Sequence, residues 1–577
     1  MAKKLMLGND AVARGLYEAG VRFISSYPGT PSTEITECAS RYDEIYSEWA
    51  PNEKVACEAA IGAAIGGGRA FCAMKHVGLN VAADPLFVTA YTGVNGGLII
   101  AVADDQGLHS SQNEQDSRHY AIAAKLPMVE PADSAECIDF VKKAYDLSEK
   151  YDTPFMLRLS TRISHSQSLV ELGEREERPV RDYQKNAGKY VMMPGNAKRR
   201  HVDVEERLVR MREELAESDI FNKVEMGGKK IGVIAAGIAY DYAREALGDE
   251  ASYLKLGLLN PLPEKLIRDF AAQVDRLVVI EELDDVIETH VKKLGLPCDG
   301  KNLFSFLYEY TSVEIKEKLL GEKTPLAGEL PAAPVRPPVM CPGCPHRGLF
   351  YVLGKNKLTV SGDIGCYTLG AQPPLGAMDT TLCMGASISA LHGFNTVRGP
   401  ESAKKSVAVI GDSTFIHSGI TSLIDIVYNK GISTVIIVDN SITGMTGHQQ
   451  NPTTGYTIKM EPAGKISLED LCRSLGINRV RVVDPGDLKA TDAAVKEELA
   501  VSEPSVIIAR RPCALLKYVK HGAPLTIDTE KCVNCGMCLK LGCPAISKMD
   551  GKMEIDPTLC NGCGLCESVC AVGAIRK

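Results

Sequence analysis

The stretch CVNCGMCLKLGCP, Cys532 to Pro544, decides how the chain is read. It spaces its cysteines as C-x2-C-x2-C-x4-C-P. A second run, CNGCGLCESVC from Cys560 to Cys570, repeats the pattern as C-x2-C-x2-C-x3-C, and IDTEKC before the first is matched by IDPTLC before the second. Thiolates at i, i+3 and i+6 on one loop can grip three corners of a cubic cluster, and the fourth ligand must then come from elsewhere in the fold. Gly536, Gly562 and Gly564 allow backbone N–H groups to turn toward cluster sulfurs. A zinc ribbon needs only two C-x2-C pairs. Two triple runs exceed that need and read as iron–sulfur ligands. Such a tail moves single electrons, so the residues before it should contain the electron source.

The rest of the composition limits what that source can be. The 577 residues suggest about four domains at roughly 150 residues each. A hydrophobic share of 45% with 24% charged residues is that of a soluble globular protein, and a net charge of −8 gives no reason to expect a nucleic-acid partner. No run of about 18 apolar residues suggests a membrane span. The start, MAKKLMLGNDAV, lacks the apolar core of a signal peptide, so a cytoplasmic location is expected. In a reducing compartment the nineteen cysteines are not expected to pair. Eight of them crowd into the tail as ligands, and most of the other eleven read as core fillers.

Working back from the tail, the chain reads as α/β throughout. Residues 1–180 alternate apolar strands (VRFISSYPGTPSTEI, GGLIIAVADD, PFMLRLS) with Ala/Gly-rich helical stretches. Residues 181–228 are charge-rich and helical and read as a solvated connecting arm. Residues 229–325 form a second α/β unit with KKIGVIAAGIAYDYAREAL and DRLVVIEEL. A Pro/Ala-rich linker occupies 326–338. Residues 339–515 form a third α/β unit, and 522–577 are the cysteine tail. The fold class expected is therefore α/β, with several doubly wound domains and a small α+β domain at the end.

The third unit carries a metal-site pattern. VAVIGDS ends a strand at Asp412 and TVIIVDN ends another at Asn440, with FIHSGITSLIDIVYNK read as one helix between them. Both polar tips then stand at strand carboxyl ends, where open α/β sheets bind ligands. An acid and an amide there suit Mg²⁺, which takes few protein oxygens and keeps phosphate ones. An ordinary strand-end turn would have the same residues. GMTGHQ, Gly444 to Gln449, follows as a flexible loop suited to a diphosphate.

Several of these strings resemble known families. The tail resembles the two-cluster bacterial ferredoxins, whose fourth cysteine in each run serves the other cluster. That implies one [4Fe-4S] cluster on Cys532, Cys535, Cys538 and Cys570, and a second on Cys560, Cys563, Cys566 and Cys543. An additional residue before Cys543 and alanine after Cys570 depart from the ferredoxin run. Gly411-Asp412-Ser413 and Asp439-Asn440 resemble the GDG and NN of thiamine diphosphate enzymes, with serine and aspartate as departures. The resemblance implies that Asp412, Asn440 and the Ile442 carbonyl hold Mg²⁺, with Gly411 and Ser413 beside the diphosphate.

E-A-A-x-G-A-A-x-G-G from Glu58 resembles the stretch whose glutamate meets the aminopyrimidine nitrogen N1′. YPGTPSTE is similar to the YPITPS of 2-oxoacid:ferredoxin oxidoreductases and puts Thr30 beside cofactor or substrate. DDQGLHSSQNEQDSRHYA resembles a substrate-facing loop. It makes Arg118 a carboxylate clamp and His109 an acid–base group; His109 and His76 are equally readable as structural. CPGCPH, SGDIGC and RRPC resemble the ligand segments of a cluster near thiamine. They imply a third [4Fe-4S] cluster on Cys341, Cys344, Cys366 and Cys513, with His346 and Gly365 at the cofactor.

Taken in order, these strings resemble the alpha subunits of the indolepyruvate:ferredoxin oxidoreductases. The implied reaction is oxidative decarboxylation of an aryl 2-oxo acid on thiamine diphosphate, with the acyl group passing to coenzyme A and electrons passing singly to ferredoxin. A small beta subunit is implied as partner, in a heterodimer or heterotetramer. Two alternatives stay open: the same chemistry on pyruvate or 2-oxoglutarate, and an electron-transfer subunit with no thiamine site of its own.

Overall fold

The sequence folds, in a computed structural model that describes residues 3–323, 333–334 and 337–577, into two compact units, Met1–Pro331 and Ala332–Lys577. Most of the linker expected at 326–338 lies outside the described residues.

In the first unit the strands are β1 (Lys3–Leu7), β2 (Phe23–Ser26), β3 (Tyr46–Trp49), β4 (Ala70–Lys75), β5 (Leu98–Asp104), β6 (Met128–Val129), β7 (Phe155–Ser160), β8 (Gln167–Glu171), β9 (Lys223–Glu225), β10 (Ile231–Ala236), β11 (Ala251–Leu256), β12 (Leu258–Asn260) and β13 (Leu277–Ile280). A seven-stranded sheet has the order β12-β6-β7-β5-β4-β2-β3, parallel except for β12. β4, β5 and β7 are buried on both faces, as unbroken runs such as LIIAVA require. A four-stranded sheet follows, β13-β10-β11-β9, with β9 antiparallel at its edge.

These two sheets are not separate domains. β12 follows the second sheet's β11 after one residue, yet it pairs antiparallel with β6 and extends the first sheet. One core joins Leu86, Ile100 and Met128 to Ile234, Leu254 and Ile287. The arm is also packed rather than solvated. Its helix Pro194–Met211 buries Val204, Arg207 and Met211, and Arg207 donates to the carbonyls of Ala90 (2.7 Å) and Asp152 (2.9 Å).

The second unit has a five-stranded, all-parallel sheet made of β14 (Thr359–Ser361), β15 (Ser406–Gly411), β16 (Thr434–Asp439), β17 (Arg479–Val483) and β18 (Ser505–Arg510), in the order β14-β15-β16-β18-β17. The crossover from β15 to β16 is not the single helix expected. It is a helical turn at Asp412–Thr414, a π-helical turn at Phe415–Gly419, and then a helix over Ile420–Tyr428. π turns of this kind recur at functional sites. The tail adds two short antiparallel pairs, β19 (Thr526–Ile527) with β22 (Ile575–Arg576) and β20 (Ile546–Met549) with β21 (Lys552–Ile555). Among the described residues no helix is long and apolar enough to cross a membrane.

Candidate functional site

At the carboxyl end of β15, Asp412 is buried, and burial lifts its carboxyl to about 7, with Asp439 adding to the rise. Its Oδ2 accepts from Thr453 Oγ1 at 3.3 Å, and Asn451 also bonds it. Among the described residues no cation pairs with Asp412. Asp439 does have one: Arg510 Nε stands 2.6 Å from its Oδ2 and also pairs with Glu469. The second acid of the pair is thus neutralised by protein, and the first is left for a cation from outside. Asn440, at the end of β16, is buried with its amide 3.4 Å from His346 Nε2. The Ile442 N–H donates to Asn440 Oδ1 at 3.3 Å.

A buried carboxylate without a cation and a buried amide at the next strand end are oxygen donors of the kind Mg²⁺ takes. Asn451 and Thr453, which complete the shell of Asp412, went unnoticed in the sequence. A polar N-x-T-T just beyond the diphosphate loop was the only available signal. That loop is ordered: Thr443 and Gln449 exchange backbone hydrogen bonds at 3.0 and 3.2 Å.

Cys341, Cys344, Cys366 and Cys513 line one cavity of about 240 Å³, together with Asn440 and His346. His448 Nε2 lies 3.7 Å from Cys513 Sγ, and the Cys513 N–H donates to the Asn440 carbonyl at 2.9 Å. Burial pushes the thiols of Cys344 and Cys366 to about 12 and 11. It carries His346 down to about 4, so that imidazole is neutral at ordinary pH. Four sulfurs facing one space suit a cubic cluster, and metal ligation offsets the cost of holding thiolates there. Gly365 precedes Cys366, and a Cβ there would strike the Tyr367 ring.

A second cavity, of about 30 Å³, is lined by Cys543, Cys560, Cys563 and Cys566. Cys344 and Pro345 belong to both cavities, so a single stretch of chain separates them. Cys532, Cys535 and Cys538 lie near one another across the tail, while the Ala574 N–H points at Cys570 Sγ from 3.3 Å. The two cysteine runs repeat in backbone as well as in letters. Gly562 and Gly564 are left-handed in the second run. In the first, Gly536 and Asn534 take the same conformation, with φ of 70° and 51°. Asparagine is among the few residues that visit this region readily.

The first unit requires corrections. Helix Glu53–Ile65 buries the stripe Glu53, Ala56, Cys57, Ala60 and Ala64. Glu58 lies on the opposite face, about half exposed, paired with Lys54 one turn back. The acid this helix buries is Glu53, at its first turn, where the Glu53 carboxyl fills the space a Cβ on Gly78 would need, at 2.5 Å. The period 53, 56, 57, 60, 64 is a helical face legible in the sequence, partly masked by the tandem alanines after Glu58.

Arg118 is no open clamp either. It is buried, paired with the carboxylates of Asp116 and Glu281, and donates further to the carbonyls of Glu282 and Asp284, so its charge is met within the fold. His109 is exposed and paired with Glu309, which Arg162 also holds. His76 is buried, and its Nε2 lies 3.1 Å from the Asn113 carbonyl. Thr30 follows Gly29, which packs against Lys75.

The chain is similar to known proteins along its whole length. Residues 14–225 match the family described as "Pyruvate flavodoxin/ferredoxin oxidoreductase, thiamine diP-bdg". Residues 363–509 match "Thiamine pyrophosphate enzyme, C-terminal TPP binding domain", and 552–575 match "4Fe-4S binding domain". The indolepyruvate oxidoreductase subunit IorA of Archaeoglobus fulgidus is 40% identical over 614 aligned residues, spanning 100% of this chain and 97% of its own. That of Methanothermobacter thermautotrophicus is 39% identical over 609, with the same shares. The 2-oxoglutarate synthase subunit KorA of A. fulgidus is 24% identical over 49% of this chain and 89% of its own. A solved 2-oxoglutarate:ferredoxin oxidoreductase from Magnetococcus marinus aligns at 17% identity and a TM-score of 0.48, over 55% of this chain and 65% of that one.

Proposed function

The chain belongs to the family of indolepyruvate oxidoreductase IorA subunits, thiamine-dependent 2-oxoacid:ferredoxin oxidoreductases, and from that premise we propose that it is the catalytic subunit for an aryl 2-oxo acid such as indolepyruvate. The acid loses carbon dioxide, its acyl group passes to coenzyme A, and two electrons pass singly to ferredoxin. The observation that carries this reading is Asn440, which stands beside the buried Asp412 at the adjacent strand end and also lines the cavity of four cysteines. That adjacency supports a metal–diphosphate site beside a one-electron carrier.

When bound, thiamine diphosphate supplies the electron sink for decarboxylation. Asp412, Asn440 and the Ile442 carbonyl hold Mg²⁺ for its diphosphate. Glu53 offers a carboxyl from inside the fold, where water does not compete for a hydrogen bond to the aminopyrimidine; it takes the role first read onto Glu58. Cys341, Cys344, Cys366 and Cys513 would hold one cluster. Cys543, Cys560, Cys563 and Cys566, beyond the wall at Cys344 and Pro345, would hold a second, and Cys532, Cys535, Cys538 and Cys570 a third; bound there, such clusters would supply one-electron carriers. The relatives are named as subunits, which supports a heteromer with a beta subunit.

Anaerobic ferredoxin reduction by the assembled enzyme with coenzyme A tests this reading, comparing indolepyruvate, phenylpyruvate, pyruvate and 2-oxoglutarate. Preference for the aryl acids is expected. Preference for pyruvate or 2-oxoglutarate would keep the chemistry and discard the substrate. No turnover with any acid, in protein loaded with thiamine and iron, would leave an electron-transfer subunit.

A further inference from the structure

A 2-oxo acid brings one fixed negative charge, and the charge of Arg118 is already met by Asp116 and Glu281. Its neighbour Arg158 is compensated in charge by Asp104 at 2.8 Å, Glu130 at 2.7 Å and Asp116 at 3.8 Å, although its Nη2 makes no hydrogen bond among the described residues. Lys75, the last residue of β4, is different. It is buried, and its ammonium donates to the Ser110 carbonyl. Among the described residues no carboxylate lies within ion-pair distance of it. Asp105 is near enough to be felt, but its oxygens are taken by the Ser110 N–H at 2.8 Å, the Ser111 hydroxyl at 2.5 Å and the Thr161 hydroxyl at 2.7 Å.

A desolvated ammonium with a single carbonyl partner is costly unless an anion joins it. The next residue leaves a polar atom open too. With its Nε2 on the Asn113 carbonyl, the buried His76 has no partner at Nδ1 among the described residues. Lys75 stands at the carboxyl end of a central parallel strand, its Cβ 3.1 Å from where a Cβ on Gly29 would be, with Thr30 next in the chain. Three residues further on, Gly78 adjoins the Glu53 carboxyl.

We propose that Lys75 is the residue that binds the carboxylate of the 2-oxo acid. This rests on the function proposed above. The ammonium fixes the leaving carboxylate by a charge-assisted hydrogen bond, while the Ser110 carbonyl and the loop that Asp105 ties down set the direction of its Nζ.

The test uses the assembled holoenzyme and two probes: an arylpyruvate as substrate and its neutral carboxamide as inhibitor. Wild type is expected to favour the acid. Lys75→Met should raise KM for the acid about 10- to 100-fold, leave the inhibition constant of the carboxamide within about threefold, and so erase the preference. Lys75→Arg keeps the charge and should retain part of it. Lys75→Gln can still donate to Ser110 and serves where Lys75→Met does not fold. An unchanged acid-over-amide ratio in a variant with wild-type thiamine and iron content overturns the assignment and leaves the proposed function standing. A wild-type enzyme that turns over no 2-oxo acid overturns the function, and the Lys75 assignment with it.

Discussion

At the scale of single residues, the difference between Glu53 and Glu58 is one of helix face. Glu53→Gln should lower ferredoxin reduction about 10²- to 10⁴-fold at unchanged iron content. Glu58→Gln loses one exposed pair with Lys54, worth little, and should stay within about twofold. Equal losses from both would undo the assignment of Glu53. Asp412→Ala should abolish Mg²⁺-dependent thiamine binding and leave iron in place; calorimetry with thiamine diphosphate, with and without Mg²⁺, reads this directly.

Glu282 offers a pH test away from the chemistry. Burial lifts its carboxyl from 4.5 to about 7, and its Oε1 accepts from the Tyr310 N–H at 2.9 Å. The folded state therefore keeps a proton that the unfolded chain releases above about 4.5. Its favourable contribution is full below that pH, falls as pH rises toward 7, and is gone above. Glu282→Gln should flatten that fall, by up to about 3 kcal/mol. Urea midpoints at pH 5 and 7.5 that differ as much in the variant as in wild type would contradict it.

At the scale of elements, the strand tips were the most legible part of the site. VAVIGDS and TVIIVDN are buried strands that end in polar residues, and their order fixes where Asp412 and Asn440 emerge. The broken crossover helix was not legible, because a π turn at Phe415–Gly419 leaves no mark in a run of helix-compatible residues. Nor was the fate of Arg118, since its partners Glu281 and Glu282 lie more than 160 residues away. The cysteine loops show the reverse case, in which the letters differ and the backbone agrees. Asn534 occupies the left-handed position that Gly562 takes in the second run. Asn534→Gly should be neutral, whereas Asn534→Val should cost about 1–2 kcal/mol of local strain and lower iron retention during anaerobic dialysis. Equal retention in both variants would show that the turn is set by the cluster rather than by the residue.

At the scale of the molecule, the four α/β and tail segments read from the sequence fold as two units, because β12 leaves one sheet for the other. Only long-range pairing decides such a step, and a three-residue strand carries too little pattern to announce it. Residues 1–228 alone lack β12 and more than a third of the shared core. They should show no cooperative thermal transition, whereas residues 1–323 should melt in one step; calorimetry on the two fragments distinguishes the cases.

Within the carboxyl-terminal unit, Arg347 spends its guanidinium on the carbonyls of Met340 (2.7 Å), Cys341 (3.0 Å) and Leu541 (2.8 Å), and the Asn561 amide reaches the Pro342 carbonyl at 3.1 Å. The cysteine tail is thereby clasped to the loop that opens the thiamine-binding domain. Binding energy released when iron enters the tail is shared with that domain by mass action. Nutritional iron supply then becomes a folding variable: in an iron-starved cell, the part of the enzyme that holds the vitamin should be the first to soften.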